Sequence, residues 1–475
     1  MALNVSAGLI VVRVVTPVEY GKISYFLRIF ALARFFGTVG LGAKVIEDVS
    51  RFAGQGDSLE TNTSVYSLGA FRIGTGIGLS LVLVALCLVN HDPVFAWAAL
   101  TGFLASLLDF IFAVAQGLRL RLLVAGTIVL QPGILVLVVA GAGYAGRASP
   151  ELIYLTYAAS FAGVVPLCLF FMRRSIASPS RRFFSKPYVL ATLPAIASLF
   201  VFGLLNQLYG SAGILVLGQL KLFEASAFFN APFSIIMIPS QLGLMLITAV
   251  YYPDLVRLLS AGKTADAARL ADLYFRGFSI VFALASAAAA VFSDVIVTIL
   301  YPADYKASIV PLMILSPMML VTFLQMLFSF GAFALHKTRQ ASLVLLGLNL
   351  LILIGTLIST ALGEDVIVLG LSLTYVATSI LGMVRVRRIV RQELPFQVEV
   401  IYAALTFLLA ALSLGIGRAF AWKLGVQVGW QVVFVAGIVG LPLYVLFSFA
   451  FLLQTDERES IYRALNYAVS NAETH

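Results

Sequence analysis

The sequence predicts an all-α integral membrane protein, and three features of its 475 residues support this fold class. Fourteen apolar runs occupy almost the whole chain, and a helix needs about 20 mainly apolar residues to cross about 30 Å of hydrocarbon. Hydrophobic residues make up 61% of the chain and charged residues only 11%. The runs are also too long and unbroken for strands of a β-barrel, which is the other structure that satisfies its backbone in lipid.

The apolar runs set the order of the predicted helices. They lie near residues 4–15, 22–43, 69–89, 93–117, 122–142, 151–172, 187–209, 223–251, 276–300, 307–335, 340–361, 366–384, 400–416 and 428–453. The first run is short for a span and has no small-residue cleavage site, so we do not expect a cleavable signal peptide. The segment 254–275 interleaves leucines with charges, which predicts a helix lying on the membrane interface. The connections are too short for a soluble catalytic domain, so we predict that the protein is not an enzyme.

The distribution of lysine and arginine predicts the orientation in the membrane. Alternate connections and the C-terminal tail carry 21 of these residues, whereas the connections on the opposite side carry 6. Because positive residues concentrate on the cytoplasmic side, both termini are predicted to be cytoplasmic. The net charge of +9 therefore comes mainly from residues beside the membrane, and no nucleic-acid partner is expected.

Residue types that carry metal, redox or nucleotide chemistry are scarce in this sequence. Cys87 and Cys168 both lie inside apolar runs, where inert buried thiols are expected. The three histidines, His91, His336 and His475, lie far apart in connections and the tail, so no metal site is predicted. The sequence contains no Walker A phosphate loop. We therefore expect no cofactor and no ATP hydrolysis by this chain.

A loose internal repeat predicts two lobes. The sequence VEYG at 18–21 opens the second run, and FEAS at 223–226 opens the eighth. The sequences RFAGQGD at 51–57 and RLLSAGK at 257–263 follow these two runs and resemble each other. An offset of six helices is even, so the two halves are predicted to share one orientation, related by an axis along the membrane normal.

The repeat and the basic segment after residue 172 define the predicted domains. They are an N-terminal six-helix lobe at 1–175, a cytoplasmic linker at 176–187, a C-terminal six-helix lobe at 188–390, an appended helix pair at 391–455 and a cytoplasmic tail at 456–475.

Arginines inside the apolar runs are the main candidate binding residues. An arginine near the bilayer centre costs about 2.5–3.5 kcal/mol on insertion scales, so it normally faces a cavity or a partner. Arg34 lies deepest in the second run and is the first candidate, with a structural ion pair as the alternative role. Arg28 lies about 120° away around the same helix. Arg72, close to the start of the third run, is expected to snorkel to the cytoplasmic interface.

Several uncharged or acidic residues are further candidates. Asp109 is predicted to balance an arginine, to carry a coupling proton or Na⁺, or to snorkel toward the cytoplasmic end, and Asp294 is expected near the interface. Buried amides either bridge helices or contact a sugar, and the candidates in the second lobe are Asn206, Gln207, Asn230, Gln241 and Gln325. Pro232 and Pro239 are predicted hinges in one helix, with static kinks as the alternative.

Several motifs resemble those of one transporter family. The residues RVVTPVEYG at 13–21 resemble the R-x-x-x-P-x-E-[FY]-G signature between the first two helices of polysaccharide flippases, which belong to the multidrug/oligosaccharidyl-lipid/polysaccharide (MOP) exporter superfamily. The glycines of 40–42, the turn at 300–305 with Ser308, and residues 334–338 are similar to that family in order and placement. The short first run and the residues 223–225, where the family often has a glycine, depart from the pattern.

The resemblance implies a function and adds one residue. Two lobes would alternate access to move an undecaprenyl-pyrophosphate oligosaccharide, or a similar lipid-linked sugar, to the outer leaflet of a bacterial inner membrane for surface polysaccharide biosynthesis. Its implied partners are membrane lipids, a polysaccharide polymerase and glycosyltransferases. The family signature also makes Arg13 a candidate for binding the pyrophosphate.

Two other classes remain as alternatives. A multidrug/cation antiporter on the same fold is expected to place carboxylates in the first-lobe cavity and usually has twelve helices. A membrane-embedded polymerase or ligase of sugar chains is expected to carry a large outer loop. The longest predicted outer connections, near 210–222 and 417–427, are short, which disfavours the enzyme.

Overall fold

A computed structural model describes residues 2–38, 41–173, 175–178, 180–395, 400–426 and 429–448. Within these ranges the chain is almost entirely helical and contains no strand. The α-helices that precede residue 220 are α1 (Ala2–Val14), α2 (Pro17–Thr38), α3 (Leu41–Gly54), α4 (Ser58–Asn90), α5 (Val94–Gly117), α6 (Arg121–Tyr144), α7 (Pro150–Met172), α8 (Lys186–Tyr209) and α9 (Ala212–Gln219).

The second part of the chain is equally helical. Its α-helices are α10 (Phe223–Leu246), α11 (Tyr252–Ser260), α12 (Thr264–Val291), α13 (Ser293–Leu300), α14 (Ile309–Leu315), α15 (Pro317–Ala334), α16 (Thr338–Ala361), α17 (Glu364–Arg391), α18 (Val400–Lys423) and α19 (Gly429–Phe447). Short 3₁₀-helices occur at Arg181–Phe183 and Ala303–Ser308, and a π-helix at Ile247–Tyr251 joins α10 to α11.

The predicted fold class, an all-α protein with many membrane spans, is confirmed. Eleven helices in the described residues are long and apolar enough to cross a membrane, or twelve if the end of α8 and α9, bent by 57° to each other, count as one span. Two more of the fourteen predicted helices are α1, which has only 13 residues, and α2. Helix α2 is long enough to cross a membrane but is not counted among the eleven apolar helices, because it contains four charged side chains, namely Glu19, Lys22, Arg28 and Arg34.

Two described helices lie largely outside the predicted apolar runs and the predicted interfacial segment, namely α3 and α9, and α9 occupies most of the segment 210–222, which the sequence predicts as an outer connection. Helix α3 is amphipathic, with Lys44, Asp48 and Arg51 among its polar residues, so a criterion based on continuous apolar length passes over it. Helix α4 also begins eleven residues before its predicted run. The carboxylate of Asp57 caps it by accepting from the backbone N–H groups of Leu59 and Glu60 at 3.1 and 2.9 Å.

The predicted single interfacial helix at 254–275 is wrong. The chain forms the short amphipathic helix α11, turns at Gly262, and then starts the spanning helix α12 at Thr264. Gly262 has φ of 70°, a left-handed conformation that ends a helix and that glycine adopts at little cost. The backbone N–H of Lys263 donates to the carbonyl of Leu258 at 3.0 Å across this turn.

An equivalent turn follows α3. Gly56 has φ of 74°, and the N–H of Asp57 donates to the carbonyl of Phe52 at 3.0 Å. These turns fall in the two segments, 51–57 and 257–263, that the sequence pairs as a repeat. Both repeated segments therefore have the same order of structural elements: a long helix, a short amphipathic helix, a glycine in the left-handed conformation and another long helix.

Contacts divide the chain into two compact units. The first unit comprises 1–230 and 338–374, and the second comprises 231–337 and 375–475. Helices α10 and α17 each contribute to both units. The predicted lobe boundaries follow the sequence repeat rather than contacts, so they stay a prediction.

Helix α5 forms the centre of the first unit. It packs on α2, α3, α4 and α7, and small residues bring the backbones close together. A Cβ atom added to Gly102 would lie 2.5 Å from the Cβ of Ala33, and one added to Gly37 would lie 2.6 Å from that of Ser106. Because α2 and α5 touch so closely, a polar side chain on one helix can reach the other.

In the second unit, α12, α15, α18 and α19 pack together. The rings of Phe282 and Phe323 stack with their centroids 4.0 Å apart. The guanidinium of Arg418 on α18 donates to both carboxylate oxygens of Asp294 on α13, at 3.0 and 2.6 Å. Asp294, expected near the interface, is thus half-exposed and ion-paired, and this pair ties the predicted appended helix α18 to the rest of the unit.

Candidate functional site

The candidate site lies in the first unit and begins with the way the chain enters α2. Thr16 and Glu19 cap this helix reciprocally: the N–H and hydroxyl of Thr16 each donate to the Glu19 carboxylate at 2.9 Å, and the N–H of Glu19 donates to the Thr16 hydroxyl at 3.3 Å. Pro17 occupies the first helical position, where its missing N–H costs nothing. The proline and glutamate of the signature at 13–21 therefore start a helix.

The glycine of the same signature allows a close helix contact. A Cβ atom on Gly21 would lie 1.8 Å from the carbonyl oxygen of Phe223, at the first residue of α10. Only glycine permits that approach. The start of α10 therefore lies against α2, which brings Asn230 to the polar face of α2.

Arg28 and Asn230 form a network across this contact. The guanidinium of Arg28 donates to the amide oxygen of Asn230 at 2.7 Å. The Asn230 nitrogen donates to the hydroxyls of Tyr20 at 3.1 Å and Ser24 at 2.9 Å. Asn230 is 4% exposed. Its amide therefore bridges two helices, which is one of the two roles predicted for the buried amides.

Arg34 lies further along α2 and faces α5. Its Nε and Nη2 atoms donate to the two carboxylate oxygens of Asp109 at 2.7 and 2.6 Å, a bidentate ion pair. The side chain of Arg34 remains 44% exposed and that of Asp109 29% exposed. Of the three roles predicted for Asp109, the structure contains the ion pair with an arginine. The predicted roles of Arg34 and Asp109 in binding and coupling stay predictions.

Arg72 on α4 is the third member of the cluster. It is 1% exposed, and its Nη2 atom lies 4.0 Å from Asp109. Its guanidinium lies over the ring of Phe110, 5.8 Å from the centroid. Among the described residues, no acceptor hydrogen-bonds to any of its three side-chain nitrogens.

The expectation that Arg72 snorkels is wrong, because its side chain is buried beside Asp109. The predicted helix starts at residue 69, which places Arg72 near the end, but the observed helix starts at Ser58. Arg72 therefore lies about 20 Å along α4 at 1.5 Å per residue. The capping signal at Asp57, an acidic residue just before a helical pattern, could have revealed the earlier start.

The cluster as a whole is cationic. Two guanidinium groups, of Arg34 and Arg72, share the single carboxylate of Asp109, which leaves one excess positive charge inside the helices of the first unit. We name these three residues the arginine cluster. A group with this geometry can receive an anion at the exposed side of Arg34.

The other predicted residues lie outside the arginine cluster. Arg13 is exposed at the end of α1, Asn206 is exposed and Gln207 half-buried on α8, and Gln241 is exposed on α10. Gln325 is buried on α15, and its amide oxygen has no hydrogen-bond partner in the described part of the chain. Pro232 and Pro239 lie inside α10, which continues through both. Their predicted roles in binding and bending stay predictions.

The sequence matches no protein-family model and no curated protein, but solved structures match its fold. An inward-facing multidrug resistance MATE family transporter of the MOP superfamily matches with a TM-score of 0.65 and 14% identity, over 82% of this chain and 94% of that one. The lipid II flippase MurJ in an inward closed conformation matches with a TM-score of 0.64 and 12% identity, over 95% and 96%. An outward-facing MATE transporter matches at 0.54 and 15%, over 82% and 92%.

The chain has the fold of these transporters. The fold expected from the resemblance at 13–21 is thereby confirmed at the level of MATE and MurJ structures. Sequence identities of 12 to 15% support a shared fold but not a shared function, because one fold hosts many functions. The substrate must therefore be inferred from the residues of this chain.

Proposed function

We propose that this protein flips a lipid-linked oligosaccharide, carried on a polyprenyl pyrophosphate, across the bacterial cytoplasmic membrane by alternating access, for surface polysaccharide biosynthesis. The observation that carries the proposal is the excess positive charge of the arginine cluster. A pyrophosphate is anionic, and guanidinium groups bind phosphate oxygens through paired hydrogen bonds.

The cluster offers a route for the anion to enter. Arg34 exposes 44% of its side chain, so a phosphate can reach it. When the phosphate takes hydrogen bonds from Arg34, Asp109 loses its bidentate partner. Arg72 lies 4.0 Å from Asp109, its side-chain nitrogens have no hydrogen-bond acceptor in the described part of the chain, and it can take that place. Binding would thus exchange one ion pair for two, and no buried charge would be left alone.

The fold comparisons are compatible with a flippase and with a multidrug transporter, and they differ in the share of this chain that they cover. The match to the lipid II flippase covers 95% of this chain, whereas the match to the inward-facing MATE transporter covers 82%. The lipid II flippase is thus similar to this chain over more of its length. The fourteen predicted helices also exceed the twelve expected of the antiporter.

The alternative is a multidrug/cation antiporter, because the MATE structures share the fold. A site for organic cations needs surplus negative charge. In the arginine cluster Asp109 is outnumbered by arginines, so the local field repels a cation. Asp109 would carry the coupling proton or Na⁺ in an antiporter, which gives the two functions different tests.

Complementation in a strain that lacks the gene tests the proposal. Arg34→Ala should cause lipid-linked oligosaccharide to accumulate in the cytoplasmic leaflet at normal protein levels, and Arg34→Lys should restore part of the export. Lys22→Ala is the matched control, since Lys22 is an exposed cation on the same helix, and it should export normally. Normal export by Arg34→Ala would contradict the proposal, and loss of organic-cation efflux with normal polysaccharide would support the antiporter.

A further inference from the structure

A second feature of the first unit lies beside the arginine cluster and shares Arg72 with it. A cavity of about 520 Å³ lies among α4, α5, α7 and the segment that follows α7. Its lining is almost wholly apolar and includes Ile73, Leu107 and Leu169. Two arginines complete the lining, Arg72 and Arg173. Among the described residues, no carboxylate lines this cavity.

The ends of the neighbouring helices indicate that the cavity lies near the lipid headgroups. Helix α7 ends at Met172, and a basic polar segment follows it. Helix α4 has 33 residues, about 50 Å, so its ends extend beyond about 30 Å of hydrocarbon. The segment after α7 is fixed on α4, because the N–H of Ala177 donates to Asn62 at 3.0 Å and the Ser67 hydroxyl donates to the carbonyl of Phe183 at 3.0 Å.

The charges at this cavity have one sign. The guanidinium of Arg173 is exposed and lies over the ring of Phe170, 3.9 Å from its centroid. Arg72 is 1% exposed and shares Asp109 with Arg34, so its charge is only partly neutralised. Its side chain borders the inner wall. In a low-dielectric wall such a charge acts over several ångströms.

We propose that this cavity is a binding site for an anionic phospholipid. Its phosphate would lie against Arg173, one acyl chain would follow the apolar wall, and the charge of Arg72 behind that wall would add to the attraction. Basic pockets between spanning helices bind anionic headgroups in this way. The site is distinct from the exposed side of Arg34, although it shares Arg72 with the arginine cluster.

Native mass spectrometry of the purified full chain tests the site. Phosphatidylglycerol and phosphatidylcholine with identical acyl chains are titrated against four proteins, namely the wild type, Arg173→Gln, Ala70→Phe and Arg181→Gln. Ala70 is an exposed residue that lines the cavity, so a phenylalanine there fills it. Arg181 is exposed on the same basic segment but outside the lining, which makes it the matched control.

The wild type should bind phosphatidylglycerol in preference to phosphatidylcholine. Arg173→Gln should weaken that binding about fivefold, since one basic residue near the membrane surface contributes about that factor. Ala70→Phe should remove the tight site, and Arg181→Gln should leave it unchanged. Equal binding by Ala70→Phe and wild type would overturn the proposal, and so would full displacement of the lipid by equimolar inorganic phosphate.

The same titration separates the two proposals. Arg34→Ala should keep the preference for phosphatidylglycerol over phosphatidylcholine even where it fails to export oligosaccharide, with binding weakened less than in Arg173→Gln, because Asp109 then neutralises Arg72 but not Arg173. Loss of the lipid site in Arg34→Ala alone, with normal binding by Arg173→Gln, would overturn the cavity as its location.

Discussion

At the scale of single residues, Arg72 is the least expected side chain in the protein. A charged group without hydrogen bonds in a buried site is costly, yet Arg72 is 1% exposed and its guanidinium has no hydrogen-bond acceptor among the described residues. Replacing such a group by an apolar residue of similar length is often neutral or stabilising. Its presence is therefore better explained by function than by stability.

This explanation predicts a separation of stability from transport. Arg72→Met should keep or raise the melting temperature, because a poorly satisfied buried charge is removed, while oligosaccharide export falls at least about tenfold because Asp109 has no second partner. Thermal unfolding of the purified protein and an export assay in cells measure the two effects. A variant that exports normally would show that the exchange of partners does not occur.

The neighbouring carboxylate supplies the comparison. Asp109→Asn would leave Arg34 and Arg72 facing each other without an anion, so unfolding should become easier by about 3–5 kcal/mol. If Asp109→Asn were as stable as Arg72→Met, the ion pair with Arg34 would not hold α2 to α5.

At the scale of elements, α2 is positioned by its first five residues. The capping pair Thr16 and Glu19 sets where the helix begins, and Gly21 lets the start of α10 lie against it. These contacts decide which face of α2 carries Arg28 toward Asn230. The signature that resembles a transporter family therefore acts mainly through helix geometry.

The close contact at Gly21 leads to a prediction. Gly21→Ala should destabilise the protein by about 3 kcal/mol, because its methyl group would overlap the backbone of Phe223, which cannot rotate away. The matched variant is Gly78→Ala on α4, where no atom lies within 4 Å of the added Cβ. It should be neutral or stabilising by up to about 1 kcal/mol. Similar melting temperatures for both variants would show that α10 can move away from α2.

The short helix α3 is anchored by a buried carboxylate. Asp48 is 1% exposed and accepts from Lys44 at 2.8 Å and Arg51 at 2.9 Å, and the Tyr188 hydroxyl on α8 also donates to it. The hydrogen bond to Asp48 raises the pKa of Lys44, because the charged amine is favoured beside a carboxylate. Because the pKa of Lys44 is higher in the folded than in the unfolded chain, the interaction stabilises the fold fully at any pH below the ordinary lysine pKa. This stabilisation is lost only as the pH rises through the raised pKa. The anchor of α3 therefore persists at physiological pH.

At the scale of the whole molecule, the lysine and arginine distribution predicts the sidedness of each connection. Helix α7 is a single span between residues 145–149 and the basic segment after Met172. Single-cysteine variants on a background without Cys87 and Cys168 test this. Ala145→Cys should react with a membrane-impermeant maleimide in intact cells, and Ser175→Cys only after permeabilisation. Labelling of Ser175→Cys in intact cells would reverse the predicted orientation.

Local patterns determined much of the architecture. The apolar runs predict the spanning helices because hydrocarbon demands about 20 apolar residues in an unbroken helix, and α5 was predicted to within a residue at both ends. The same criterion missed α3, whose apolar residues lie on one face only. Arg34 and Asp109 could be selected from the sequence because charges are rare inside such runs.

The sequence by itself thus determined the membrane class, the order of the helices and the charged residues that need partners, since each depends on a short stretch of chain in hydrocarbon. Only the tertiary structure decided that Arg34 from α2 and Arg72 from α4 share the carboxylate of Asp109 on α5. It also decided that Arg28 donates a hydrogen bond to Asn230. These contacts depend on close packing at Gly21, Gly37 and Gly102, and the approach of two helices is a property of neither helix alone.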